Sequence, residues 1–390
     1  MALKVAIVGG GPGGLTLARL LHCKGIEFTV FERSVSATSN LQGGSLDIHE
    51  NDGQLALREA GLYEEFLKKA RTEDDVFTLY DEHGKCFGGL FGEPQDAPSQ
   101  QPESGRPEID RTELRQILLD SIPETQIRWE SNLKRINNDA KCKRVLEFAN
   151  GDTACGFDLI VGADGAFSKV RPFVNSLKPE YSGKYYIEAK VSPDSPAYQS
   201  VTAKLGNGTI AFLGGPKQVM MQRQGDASYR IYFGVTVPED FVSSAVDLAD
   251  GESTRRLLLS PDFFGDWCDT ILDIIRNCSS FRSWPLYSMN PERLSWTSVP
   301  GITLMGDAAH VSVPAGEGVN VAMLDALVLA KKLDEFGKDD LDRAVREYEH
   351  DMLARGKAMI EESWETVRMM AHPDGPSAVI QAFRLKIFGA

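Results

Sequence analysis

The sequence predicts an α/β protein in which a Rossmann-like parallel sheet is joined by a second, antiparallel-sheet domain and closed by a C-terminal bracing helix. Three observations predict it. The chain opens with an apolar strand, a glycine turn and an amphipathic helix, the start of a doubly wound sheet. Two later apolar runs end in turns that carry Asp164-Gly165 and Gly306-Asp307. Between them, from about residue 185 to 237, apolar and polar residues alternate with turn residues interspersed, as in a sheet with one covered face.

Leu3 to Val8 reads as a short strand, followed by Gly9-Gly10-Gly11-Pro12-Gly13-Gly14 and a helix with Leu15, Leu17, Ala18, Leu20 and Leu21 on its buried face. Gly9, Gly11 and Gly14 fit G-x-G-x-x-G. The first permits a tight turn, the second lets backbone approach a pyrophosphate, and the third lets helix and strand pack closely. The helix N-terminus offers N–H donors and a positive dipole end to phosphates. A second strand, Phe28 to Phe31, ends in Glu32-Arg33, and an acid about 20 residues beyond the glycines suits ribose hydroxyls. The pattern predicts a dinucleotide site. Glu32 argues for a free 2′-hydroxyl, which disfavours NADP in this pocket and leaves FAD and NAD open.

Leu159, Ile160 and Val161 read as a buried parallel strand ending in Gly162. Asp164, Ser168, Lys169 and Arg171 then bring a carboxylate, a hydroxyl and two cations to the carboxyl end of a strand, where open α/β sheets bind ligands. A turn with a capped helix is the plainer reading of the same residues. Ile302 to Met305 is another buried strand, with Asp307 at its tip. Pro314 to Asn320 leads into a helix carrying Ala322, Met323, Ala326, Leu327, Leu329 and Ala330. Such a turn, backed by a second glycine-rich helix start, suits a long ligand. Gln95 to Pro107 reads as a loop, and Gly206-Asn207-Gly208 as a hairpin turn between strands. Asp340 to Met370 has helical periodicity and is expected to brace both domains; His372 to Pro376 ends it.

At 390 residues, 42% hydrophobic and 25% charged, the chain can bury a sizeable core in two domains. A net charge of −14 disfavours nucleic acid or an anionic membrane surface as a general partner. The 6 cysteines are scattered without a C-x-x-C pair, which argues for reduced thiols and against a metal site. With no signal-peptide pattern and no long apolar run, a soluble cytoplasmic protein is expected.

The glycine fingerprint ending in Glu32-Arg33, the Asp164-Gly165 segment and the Gly306-Asp307 segment occur together and in this order. Together they resemble the three signatures of the group A FAD-dependent flavoprotein monooxygenases, the aromatic hydroxylases. The resemblance spans roughly residues 3 to 335. Within that group the chain is most similar to the tetracycline-inactivating monooxygenases, through Gly43-Gly44-Ser45-Leu46-Asp47-Ile48-His49, Glu108 to Arg115 and Gly306 to His310.

The resemblance implies an FAD-binding domain of residues 1–76, 103–175 and 285–335, a substrate-binding domain of 77–102 and 176–284, and a C-terminal helical segment of 336–390. It assigns the ADP half of FAD to Gly9, Gly11, Gly14 and Glu32. Arg33 would meet FAD or the incoming nicotinamide nucleotide, and Arg115 the phosphates and ribityl chain. Asp47 belongs to the flavin region, Asp164 to FAD and reduced-nicotinamide binding, Asp307 to the ribityl hydroxyls, and Gly318 and Asn320 to the far end of the cofactor. NADPH or NADH is implied as a transient co-substrate. Reduced flavin and O2 would form a C4a-hydroperoxide that hydroxylates or epoxidises an electron-rich aromatic or polycyclic small molecule. A monomer is expected.

Glu188, Thr209, Met220 and Tyr232 fall at the substrate-facing positions. The chain departs from the tetracycline enzymes there, since Glu188, Thr209 and Tyr232 stand where those carry an amide, a guanidinium and an imidazole. Glu317 also replaces the common glutamine. A changed donor set shifts substrate preference, so tetracycline stands beside other fused polycyclic phenols and indole-type metabolites as candidates. Tyr232 and Glu188 are the candidate bases, His49 a third, and His310 is expected to be structural. The alternative readings are a non-catalytic flavin- or metabolite-binding protein and another FAD-dependent oxidoreductase.

Overall fold

The computed structural model describes residues 2–39, 43–74, 76–89, 105–139, 143–205, 208–242 and 246–388. The chain forms two compact units. The first comprises Met1–Ala70, Arg111–Glu180 and Tyr287–Ser363; the second comprises Arg71–Asp110, Tyr181–Leu286 and Trp364–Ala390. No helix among the described residues is long and apolar enough to cross a membrane.

The first unit is built on a five-stranded sheet in the order Ile302–Leu304, Leu159–Gly162, Lys4–Val8, Glu27–Phe31 and Ile127–Arg128, every pair parallel. Val5 to Val8 and the whole of Leu159–Gly162 are buried, as parallel strands covered on both faces are. Because the strands run the same way, their carboxyl ends fall on one edge. Gly9, Glu32, Asp164 and Asp307 are therefore gathered there. Hydrogen bonds from Gly9 N to Phe31 O, Ala163 N to Val8 O and Met305 N to Gly162 O lock the three turns to neighbouring strands.

The first helix, Pro12–Cys23, starts at a proline suited to that position and buries Leu15, Leu17, Ala18, Leu20 and Leu21. A Cβ on Gly13 would lie 3.2 Å from that of Ala322, so this helix meets the helix Gly318–Phe336 near the N-terminal ends of both. The helix Leu341–Met370 buries Tyr348, Glu349, Met352 and Ile360. Tyr348 donates to Leu304 O at 2.8 Å, and Thr303 Oγ1 to Glu349 Oε1 at 2.7 Å, so its first part braces the strand Ile302–Leu304. A three-stranded antiparallel sheet, Leu133–Asp139, Lys143–Phe148 and Thr153–Cys155, completes this unit.

The second unit carries a seven-stranded sheet in the order Ser279–Ser288, Glu180–Val191, Tyr229–Thr236, Lys217–Arg223, Thr209–Gly214, Phe77–Asp81 and Cys86–Gly89. The central pairs are antiparallel, but Thr209–Gly214 runs parallel to Phe77–Asp81, which enters from a distant part of the chain. One face packs Ile187, Phe212, Val219, Ile231 and Phe233 against Leu258, Ile271 and Ile274, which lie on the helices Gly251–Leu258 and Asp269–Asn277. On the opposite face Leu79, Ala211 and Leu213 pack on Val379 of the helix Pro376–Phe388.

The expected Gly206-Asn207-Gly208 hairpin needs correction. Gly206 and Asn207 lie outside the described residues, and the chain before them is helical over Tyr198–Leu205, so no strand pair is joined there. Thr202 Oγ1 bonds back to Tyr198 O within that helix, a local pairing that alternation in the sequence does not reveal. In this stretch of the chain, turns that join strands follow Gly214 and Arg223. Of the expected Gln95–Pro107 loop, residues 95–104 lie outside the described residues.

Candidate active site

The glycine turn is shaped by contacts on two of its three fingerprint positions. Gly9 has φ +112, and a Cβ there would lie 2.2 Å from Ala163 O. A Cβ on Gly14 would lie 2.2 Å from Gly9 O. Gly11 differs, since nothing stands within 4 Å of where its Cβ would be. No side chain caps the helix that follows. Backbone amides at the positive end of a helix dipole thus border open space, the arrangement that receives a phosphate.

Gly10 is held at both ends. Its amide donates to Glu32 Oε2 at 2.6 Å, and its carbonyl accepts from Arg115 Nε at 3.2 Å. Glu32 Oε1 accepts from Ser34 N and Oγ at 2.9 and 2.7 Å. Among the described residues, donors take three of a carboxylate's roughly four acceptor positions, which leaves one for a hydroxyl. Arg115 also donates to Ala37 O at 2.8 Å and lies 5.6 Å from the Trp129 ring centroid. Burial lowers its pKa, against the pull of Glu32. Arg33 is exposed.

The Asp164 carboxylate is turned into its own loop. It accepts from Ser168 Oγ at 2.5 Å, Lys169 N at 2.7 Å and Val170 N at 3.4 Å. Burial raises its pKa, opposed by those donors. Arg171, 3% exposed, then joins two of the turns. Its Nε donates to Ala308 O at 2.8 Å, and its Nη2 to Ala166 O at 2.7 Å and Asp307 O at 3.0 Å. Burial lowers its pKa, against Asp164 and Asp307. The Asp307 side chain itself is exposed at the start of the short helix Asp307–His310.

Beneath that turn sits a buried ionic post. Asp325 accepts from Gly306 N at 3.0 Å, pairs with His310 Nε2 at 2.7 Å and with Arg355 Nη2 at 2.9 Å. Burial would raise the Asp325 pKa, but His310, Arg355 and the amide hold it below the usual range. The expected structural role of His310 agrees with this placement. Sequence reasoning passed over Asp325 and Arg355, although a lone aspartate inside the apolar run Val321–Ala330 was a signal.

Asp47, His49 and Asn320 also come together. Asn320 Oδ1 accepts from His49 N at 2.9 Å, and its Nδ2 donates to Asp47 O at 2.9 Å and Gly316 O at 3.3 Å. His49 stands between Asp47 Oδ2 at 2.9 Å and Glu317 Oε2 at 3.3 Å. Burial lowers its proton affinity, but the two carboxylates outweigh this and raise its pKa to about 9. Gly318 opens the following helix with nothing within 4 Å of its Cβ position and no side-chain cap.

Within the second unit, register aligns Glu188 with Tyr232, Tyr232 with Met220 and Met220 with Ala211, so these residues share a face. Thr209, two residues before Ala211, shares it too. Both Glu188 oxygens are engaged, by Arg230 Nη1 at 2.5 Å and Trp284 Nε1 at 2.7 Å. Tyr232 lies 5.7 Å from the Tyr186 ring, whose hydroxyl accepts from Gln218 at 2.7 Å. Thr209 Oγ1 reaches Glu108 at 3.4 Å.

A parallel sheet whose carboxyl edge bears a glycine cradle, a ribose-type acid and a second uncapped helix start defines a dinucleotide-binding flavoprotein class. The cradle at Gly11, the remaining acceptor position on Glu32 and the open start at Gly318 fit FAD. The chain belongs to the FAD binding domain family, which it matches over residues 2–363. It is 31% identical to monooxygenase penA of Penicillium thymicola, across 96% of this chain and 97% of that protein. Its fold is that of Klebsiella pneumoniae HpxO solved with FAD and uric acid (TM-score 0.78, 22% identity, 98% and 92% of the chains). Tetracycline destructase Tet(51) shares the fold as well (TM-score 0.70, 20% identity, 100% and 96%). The protein is an FAD-dependent monooxygenase, as the sequence resemblance implied.

Proposed function

We propose that the protein takes two electrons from NADPH or NADH and inserts one atom of O2 into an electron-rich aromatic or polycyclic small molecule, the other atom leaving as water. The observation that carries this reading is the gathering of the three turns on one sheet edge, two of them tied together by Arg171. FAD, when bound, supplies the redox chemistry and the activation of O2.

The chain's own residues supply position and charge. The amides around Gly11 and Gly14 bind the pyrophosphate, and the remaining acceptor position on Glu32 takes a ribose hydroxyl. Arg115 holds the glycine turn from behind, Arg33 adds an exposed cation, and Asp307 offers an exposed carboxylate to polyol hydroxyls. Asp164 keeps its turn in shape, while Asp47, Gly318 and Asn320 present the second helix start to the far end of the cofactor. Met220 and Tyr232 give the substrate face an apolar and aromatic floor, which excludes water. Thr209 is the small polar contact on that face. Glu188 is held by Arg230 and Trp284, and Tyr232, on the same face, is the other candidate group to orient or deprotonate a phenol.

HpxO holds uric acid and Tet(51) is named for tetracycline, ring systems rich in electrons; fused phenols, tetracycline among them, and indole-type compounds are the substrate class for this chain. The test is to purify the protein with its flavin and follow NADPH and NADH oxidation with a panel of such compounds. Stimulated oxidation with a product gaining one oxygen is expected. Bound FAD with no stimulation across the panel would instead mark a binding protein.

A further inference from the structure

The helix Gly318–Phe336 starts without a side-chain cap although Glu317 stands immediately before it. A carboxylate there is drawn to the positive dipole end of the helix. Here Glu317 Oε2 faces His49 Nδ1 at 3.3 Å, while His49 Nε2 faces Asp47 Oδ2 at 2.9 Å. A neutral imidazole has one N–H and can donate to one carboxylate; both contacts together require the imidazolium. Asn320 fixes the backbone at His49, Asp47 and Gly316, so the segment that carries the ring is held in place independently of Glu317.

We propose that His49 is a positioning residue whose imidazolium pins Glu317 to Asp47 and keeps the start of helix Gly318–Phe336 open for the flavin. Without the pin, Glu317 is free to turn onto the amides of its own helix and would compete there with the cofactor. The proposal rests on the placement of FAD given above and adds a pH-dependent device to it. The titratable groups facing the ring are Asp47 on its own segment and Glu317 ahead of the helix. The next turn, Glu50–Gln54, adds Glu50 and Asp52, of the same sign. With a pKa of about 9, the ring is charged at neutral pH and the pin opens as pH rises through that value.

The test is titration of FAD into the FAD-free protein, followed by flavin fluorescence, for wild type, His49→Gln, Glu317→Gln and the double variant. His49→Gln keeps an amide donor for Asp47 and drops the one to Glu317. It is expected to bind FAD about tenfold more weakly. Glu317→Gln should bind like wild type, and the double variant should recover. Wild-type affinity should fall above pH 9, and that of Glu317→Gln should not. If His49→Gln does not fold, the pH series on the other two proteins decides. A double variant as weak as His49→Gln, or a pH profile shared by wild type and Glu317→Gln, overturns the pin and leaves FAD binding intact. Failure of the wild type to bind FAD overturns both.

Discussion

Arg171 couples turns that lie 136 residues apart in the chain, through carbonyls that have no water to fall back on once buried. Replacing it with methionine keeps volume and removes the donors for Ala166, Asp307 and Ala308. Urea denaturation of Arg171→Met should show a loss of about 3 kcal/mol, with FAD lost on gel filtration. Arg171→Lys should not restore either, because a point ammonium cannot reproduce a planar fork. An unchanged midpoint with full flavin content would refute the coupling. His49 makes a second prediction, on stability. Its pKa is raised in the fold, so its contribution is complete below about pH 6.5 and lost as pH climbs through about 9. Unfolding free energy of the FAD-free protein should fall by at most about 3 kcal/mol over that window, and a flat profile would count against the paired imidazolium.

The glycine turn shows how one motif divides its labour. Gly9 is required by its φ of +112 and by Ala163 O, while Gly11 is at φ −79 with open space beside it. Gly9→Ala should therefore lower stability by about 2–3 kcal/mol or more in a denaturant titration. Gly11→Ala should leave the fold's melting temperature within a few degrees yet weaken FAD binding at least about tenfold, since the new methyl fills the approach to the phosphate. Equal stability losses in the two variants would contradict this division. The turn was legible in the sequence because strand, glycine spacing, helix and acid are all local. The helix Tyr198–Leu205 and the parallel pairing of Thr209–Gly214 with Phe77–Asp81 were not, because alternation reports a strand's faces and not its neighbours.

The proposed cofactor site draws on segments from the first, middle and last thirds of the chain, so ligand binding and folding of the first unit should be linked. Added FAD should raise the melting temperature of FAD-free protein in a concentration-dependent way, with about 2.7 kcal/mol of added unfolding free energy at a hundredfold excess over Kd. A melting temperature indifferent to FAD would argue against a site assembled on folding. Much of that site could be read from the chain: which turns take part, the Gly9, Gly11 and Gly14 spacing, the placement of Glu32, Asp164 and Asp307 at strand ends, and from these the family and its cofactor. Such features need only backbone periodicity and the special conformations of glycine, which neighbouring residues encode. The tertiary structure alone decided what the charged side chains do. It turned Asp164 inward onto its loop, set Arg171 across two turns, buried Asp325 between His310 and Arg355, and brought Glu317 to His49. Those pairings depend on which distant groups share a low-dielectric space, and no stretch of contiguous sequence carries that information.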